Sequence, residues 1–228
     1  IFYRVKFRDL AQINIESEPV VGRFRTAPGD RRDVSFVWGG DVAGQGWGIN
    51  EAWGGMKIYE QMRKTNPDFF LHCGDTIYAD GPISAQVKLA DGSLWNNVVT
   101  EEVSKVAETL NEFRGRYRYN LMDANVRRMS ADVPQIWQWD DHEVTNNWSP
   151  SKELDDRYQQ VRDIDTLVRR ARQAYLEYAP MRIARGDKLG RIYRKVSYGP
   201  LLDVFVLDMR SYRGPNTDNL QSEQGAQT

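Results

Sequence analysis

The 228-residue chain has one cysteine, Cys73, and two histidines, His72 and His142. A lone cysteine excludes an intrachain disulfide and any cysteine-rich zinc site. No apolar run approaches membrane-spanning length, and no export signal is present. Neither sign of charge is in excess: 31 Lys+Arg against 32 Asp+Glu leave a net charge of -1. That balance argues against a nucleic-acid-binding module that relies on bulk charge. The glycine-rich loop 44–48 lacks both the Lys-Ser/Thr pair and the spacing of a phosphate-binding or dinucleotide fingerprint. There is no internal repeat and no low-complexity tract.

What remains is the composition of a globular domain, 40% hydrophobic and 28% charged, of a size that holds one core. The chain starts at Ile1 rather than Met, so a lost N-terminal segment is expected, through removal of an export signal or as a fragment. Seven Trp and eleven Tyr are many for this length. Trp38, Trp47, Trp137, Trp139 and Trp148 crowd the acidic junctions described below. Core packing is the first reading of each, and a substrate rim the second.

Short apolar alternations make residues 1–26 β, and Ala27-Pro28-Gly29-Asp30 reads as a turn and a boundary. Buried strands are expected over 33–38, 68–73 and 133–139. Helices are expected over 51–64, ended by Asn66-Pro67, and over 100–117, 121–129 and 151–178. Residues 74–97 read as a long loop. Two further strands are expected over 191–197 and 201–207, and the tail from 211 to 228 reads as a loop cut short. The β-α-β-α-β order indicates an α/β fold, a sheet with helices on its faces.

The chemistry concentrates where strands end. Asp41 follows the first, Gly74-Asp75-Thr76-Ile77-Tyr78 the second, and Asp140-Asp141-His142-Glu143 the third. Two adjacent acids beside a histidine repel or desolvate each other unless a cation sits among them, and a metal ion is the obvious one. Acids at three strand-to-loop junctions are what a metal site on an α/β scaffold requires. Carboxylates suit hard cations, imidazole suits transition metals, and tyrosinate suits ferric iron. A carboxylate shared by two ions about 3.5–4 Å apart activates water and clamps a phosphoryl group. Gly-Asp after a strand is also an ordinary turn, Asp140-Asp141 also a helix N-cap, and Tyr78 also a packing aromatic. His72 and Cys73, inside the second strand, read as core residues. Paired carboxylates also serve glycosidases, but immediate neighbours cannot flank a sugar bond.

The segments Phe36-Val37-Trp38-Gly39-Gly40-Asp41, Leu71-His72-Cys73-Gly74-Asp75-Thr76-Ile77-Tyr78 and Trp139-Asp140-Asp141-His142-Glu143 together resemble the PhoD-like alkaline phosphatases of the calcineurin-like metallophosphoesterase superfamily. Leu207-Asp208-Met209-Arg210-Ser211-Tyr212-Arg213 is similar to another segment of that family. The resemblance covers most of residues 20–213. It implies a metallophosphoesterase β-sandwich flanked by helices, with residues 1–28 the end of a small N-terminal β domain and 29–228 a catalytic domain truncated at its C-terminal side. It implies hydrolysis of phosphoric mono- or diesters by metal-activated hydroxide, with ferric iron and calcium, in an exported protein of the periplasm or exterior.

Carried over by position, Asp75 would bridge the metals, Tyr78 would bind iron, and Asp41 would stand where many members have a cysteine ligand. Asp141 would bind the second metal and His142 would protonate the leaving group. Asn146, Asn147 and Arg210 would contact phosphate. The family's later Gly-Asp-Val-His segment has no counterpart before Thr228, so a partner is expected in the remaining C-terminal part of the same protein. The rival expectations are a phospholipase-D-like phosphodiesterase and a noncatalytic metal-binding fragment.

Overall fold

In a computed structural model the chain is described over residues 1–42, 44–183, 187 and 190–216. It opens with an antiparallel hairpin, β1 (Phe2–Val5) and β2 (Val20–Arg23). The central element is a parallel sheet in the order β3-β4-β7, formed by β3 (Phe36–Gly39), β4 (Phe69–His72) and β7 (Gln135–Trp137).

Alternation along β4 assigns the two faces of this sheet. Phe69 and Leu71 pack with Ile136, Tyr198 and Val206 on one side, and Phe70 packs with Met129 and Val133 on the other. The first side is covered by the antiparallel hairpin of β8 (Arg194–Ser197) and β9 (Asp203–Val206), which is a separate sheet. The second is covered by α1 (Lys57–Lys64) and α3 (Ala124–Asp132), which also pack on each other. The largest core lies where α2 (Leu110–Asn120) meets α4 (Ile164–Tyr178), with Phe113, Trp139, Leu167 and Tyr175 fully enclosed. The architecture is mixed α/β, as the order of elements indicates.

Several elements are shorter than their apolar patterns suggest. The helix expected over 51–64 is a 3-10 turn, Glu51–Trp53, followed by α1, because Gly54 and Gly55 take φ of 83° and 68° and interrupt it. The helix expected over 100–117 is a 3-10 turn at Glu101–Val103 and then α2. It starts at a capping box in which Glu112 N donates to Thr109 Oγ1 and Thr109 N donates to Glu112 Oε2. The helix expected over 121–129 begins instead at Asp123, whose carboxylate caps Asn125 and Val126.

The helix expected over 151–178 starts only after Asp163, which caps it through Thr166 N at 2.7 Å. The preceding segment is held instead by the buried Glu108 carboxylate, which accepts from Gln160 N and Val161 N. The third strand stops at Trp137, and Trp139 turns into the core against Trp148 and Tyr175. The loop expected over 74–97 contains a hairpin, β5 (Gln86–Lys88) and β6 (Leu94–Asn96), reversed near Gly92 at φ 87°. Of the expected tail loop, residues 217–228 lie outside the described residues.

Candidate metal centre

The parallel strands deliver Asp41, Asp75 and the 140–143 turn to one end of the sheet, beyond their carboxyl ends. Asp41 and Asp75 leave their strands with φ of 57° and 53°, and Asn147 has 52°. Asp and Asn tolerate this left-handed conformation better than other non-glycine residues, and it costs strain that the surrounding contacts must hold. Gly74, at φ 110°, is needed for a second reason. A Cβ there would fall 2.6 Å from Asp140 Cβ and 2.9 Å from its backbone nitrogen, so only glycine lets the two acidic turns meet.

Backbone hydrogen bonds join the three junctions. Asp41 N donates to Gly74 O at 3.1 Å, Val42 N to Asp75 O at 2.9 Å, and Ala79 N to His142 O at 2.8 Å. Glu143 braces the arrangement from inside. Its side chain is fully buried and accepts from Thr76 N and Thr76 Oγ1, both at 2.6 Å, and from Asp140 N at 2.8 Å. Burial outweighs these donors and pushes its carboxyl up to about 7.

Asp75, Asp141 and His142 present ligand atoms that all lie within 4.8 Å of one another. Both carboxylates are buried. Burial, with the charges of Asp141 and Asp140, pushes the Asp75 carboxyl up to about 6 against the opposing pull of His142. His142 N donates to Asp75 Oδ1 at 3.2 Å. Its ring is anchored by Asp80, with Nδ1 2.7 Å from Asp80 Oδ1, and lies at 4.3 Å on the ring of Tyr78. Burial opposes the imidazolium, but the Asp80 hydrogen bond and the charges of Asp80, Asp141 and Asp75 outweigh it and raise the His142 pKa.

Tyr78 Oη donates to Asp41 Oδ2 at 3.0 Å, which adds a phenol and a third acid to the same rim. Burial, then the nearby Asp75, pushes the Tyr78 hydroxyl well above its ordinary range, so it keeps its proton unless a cation displaces it. This donor set fits a hard cation or ferric iron: buried carboxylates crowd together with an imidazole and a phenol, and a positive charge among them would relieve the crowding.

The remaining expected residues divide. Arg210 reaches the acidic turn, with Nε donating to Asp140 Oδ1 at 2.7 Å and Nη2 3.5 Å from Asp141 Oδ1, while its buried Nη1 has no partner among the described residues. Asn146 and Asn147 act here through their backbones, Asn146 N donating to Asp80 Oδ2 at 2.9 Å and Asn147 N to Asp141 Oδ2 at 2.5 Å. Their side chains are exposed. His72 is a core residue, whereas Cys73 is exposed because β4 ends one residue before it. Trp139 and Trp148 are core residues too, but Trp38 and Trp47 are exposed. Asp80 has no strand-end signature, and sequence reasoning missed it. Its only cue is a position five residues after Asp75 in the same glycine-flanked turn.

The profile of the PhoD-like phosphatase family matches residues 36–228. Alkaline phosphatase D of Bacillus subtilis (strain 168) is 34% identical over 164 residues, which cover 71% of this chain and 26% of that protein. A solved structure of PhoD superposes with a TM-score of 0.67 and 29% identity over 96% of this chain and 39% of that one. The chain thus spans much less than half the length of either relative, and the family profile covers every acidic junction described above. It belongs to the PhoD-like phosphatase family.

Proposed function

We propose that this chain carries one wall of the metal site of a phosphoric ester hydrolase. The observation that carries this reading is the convergence of Asp75, Asp141 and His142 ligand atoms within 4.8 Å. Asp75, Asp141, Tyr78 and Asp41 would hold the metal, and the resemblance implies a pair of ions, ferric iron and calcium, with Asp75 as their shared ligand. When bound, such ions supply Lewis-acid stabilisation of phosphoryl charge.

The chain's own groups would do the rest. Asp80 fixes the His142 ring by holding Nδ1, which leaves Nε2 as the nitrogen that carries a proton to the leaving oxygen. Arg210 is already drawn to the acidic turn through Asp140 and would contact a phosphoryl oxygen there. Asn146 and Asn147 hold Asp80 and Asp141 by their backbones, and their exposed side chains would be free to contact phosphate.

In this reading the parallel sheet is part of one layer of a metallophosphoesterase sandwich. The hairpin within residues 1–28 is the end of a small β domain, and 29–228 is the first part of an exported protein's catalytic domain. The test is hydrolysis of p-nitrophenyl phosphate and bis(p-nitrophenyl) phosphate by the 228-residue chain before and after chelation. Turnover that chelation abolishes and metal restores supports the reading, and the ratio of the two esters separates monoesterase from diesterase. Metal binding without turnover on either ester would overturn it in favour of a noncatalytic metal-binding fragment.

A further inference from the structure

The loop that follows Asp41 leads to an aromatic cluster that the metal centre does not use. Trp47 and Trp53 each pack on Trp95, with centroids 5.7 and 5.5 Å away and interplanar angles of 76° and 39°. Tryptophan is ordinarily well buried, yet Trp53 is 57% exposed and Trp47 39%.

The cluster is rigidly built. Asn97 Oδ1 accepts from Trp95 Nε1 at 2.8 Å and from Gly48 N at 2.9 Å, and Asn97 Nδ2 donates to Gly46 O at 2.9 Å and Ser84 O at 2.7 Å. One amide thus ties the β5–β6 hairpin to the glycine-rich loop. Trp53 is positioned by Asn50, whose Oδ1 accepts from Trp53 N at 3.2 Å. The exposed Lys57 places Nζ 5.8 Å from the Trp53 ring centroid.

Trp47 is linked to the metal centre through Gly44. A Cβ on Gly44 would fall 2.1 Å from the Tyr78 ring, so the loop backbone rests on that ring. Trp47 N donates to Gly44 O at 3.1 Å. That turn places their Cα atoms within about 7 Å of each other. Open indole faces beside a loop that rests on Tyr78 suit the flat ring of a substrate, since any planar base or aryl group stacks on them.

We propose that Trp47, Trp53 and Trp95 form a stacking subsite for the organic group of the ester. The favoured substrates carry a flat ring beside the ester, and nucleoside monophosphates are the simplest of that chemistry. This inference rests on the hydrolase reading for its catalytic part, but ring binding does not.

Adenosine 5′-monophosphate and ribose 5-phosphate test it, because they share the reacting ester and differ only in the base. The metal-loaded 228-residue chain is expected to show a kcat/KM about 10-fold or more higher for the nucleotide. Trp53→Ala and Trp47→Ala should collapse that ratio toward unity, mainly through KM, and leave ribose 5-phosphate turnover unchanged. Trp53→Phe should restore part of it. In parallel, adenosine alone should quench the tryptophan fluorescence of the wild type saturably, and less in Trp53→Ala.

Equal kcat/KM for the two esters together with no saturable quenching would overturn the subsite. So would an equal loss on both esters in the tryptophan variants, which marks a structural role. Quenching by adenosine without hydrolysis of either ester would sustain the subsite and sink the hydrolase reading.

Discussion

Asp80 Oδ1 lies 2.7 Å from His142 Nδ1, and Asp80 Oδ2 accepts the Asn146 N–H at 2.9 Å. One buried carboxylate therefore sets both the orientation of the histidine ring and the path of the turn that follows it. Groups that orient a catalytic or ligating histidine are commonly worth about 10- to 100-fold in activity or metal affinity. Asp80→Asn keeps the size and removes the charge. It is expected to lower kcat on p-nitrophenyl phosphate by about that factor with little change in KM. An unchanged kcat, with the fold intact by circular dichroism, would remove Asp80 from the account.

Gly74 is where the two acidic turns touch. Gly74→Ala would place a methyl against Asp140, including its backbone nitrogen, at a φ of 110° that side chains avoid. A loss of about 2–4 kcal/mol is expected, read as a drop in the urea midpoint at constant m-value. A loss below about 0.5 kcal/mol would mean that the turns can move apart.

The capping box of α2 gives a smaller and cleaner effect. Thr109→Ala removes the acceptor for Glu112 N while leaving the core side chains in place. Its expected cost is about 1 kcal/mol in the same urea experiment.

His72 makes stability depend on pH. Its ring is buried against Phe70 and Trp137, and among the described residues its Nδ1 has no hydrogen-bond partner. Burial depresses its pKa from 6.5 to about 4. The unfolded chain therefore binds a proton at a pH where the folded chain does not. Stability is intact above pH about 6.5 and declines as pH falls toward about 4, by up to about 3 kcal/mol from this residue. Unfolding His72→Phe alongside the wild type at pH 7.5 and 4.5 isolates the effect. The gap between the two proteins should shift in favour of the variant at the lower pH, and a gap independent of pH would contradict a neutral buried His72.

The parts that were legible in the sequence share one feature: a local pattern that tertiary contacts did not need to complete. Apolar runs ending in Gly-Asp or in Asp-Asp-His marked three parallel strands and the acids at their ends, and the structure brings Asp75, Asp141 and His142 together. Helical periodicity was misleading wherever an interruption was local and small. Gly54-Gly55 breaks one helix, and the Thr109/Glu112 box starts another well inside its apolar pattern. The Asp91-Gly92 pair was a turn signal inside what reads as a loop. Asp80 could not be found by pattern because its partner is 62 positions away. Glu143 stood in a conspicuous cluster, but only burial shows that it braces the two turns from within rather than facing a ligand.

In the proposed function, Asp75 ties metal binding to ester hydrolysis. The most direct measurement is metal content per chain together with p-nitrophenyl phosphate turnover, for wild type and Asp75→Asn prepared side by side and shown to be equally folded. The account predicts that the wild type retains metal and turns over, and that the variant loses both together. A variant that keeps full activity, or that keeps its metal while losing only turnover, would contradict it.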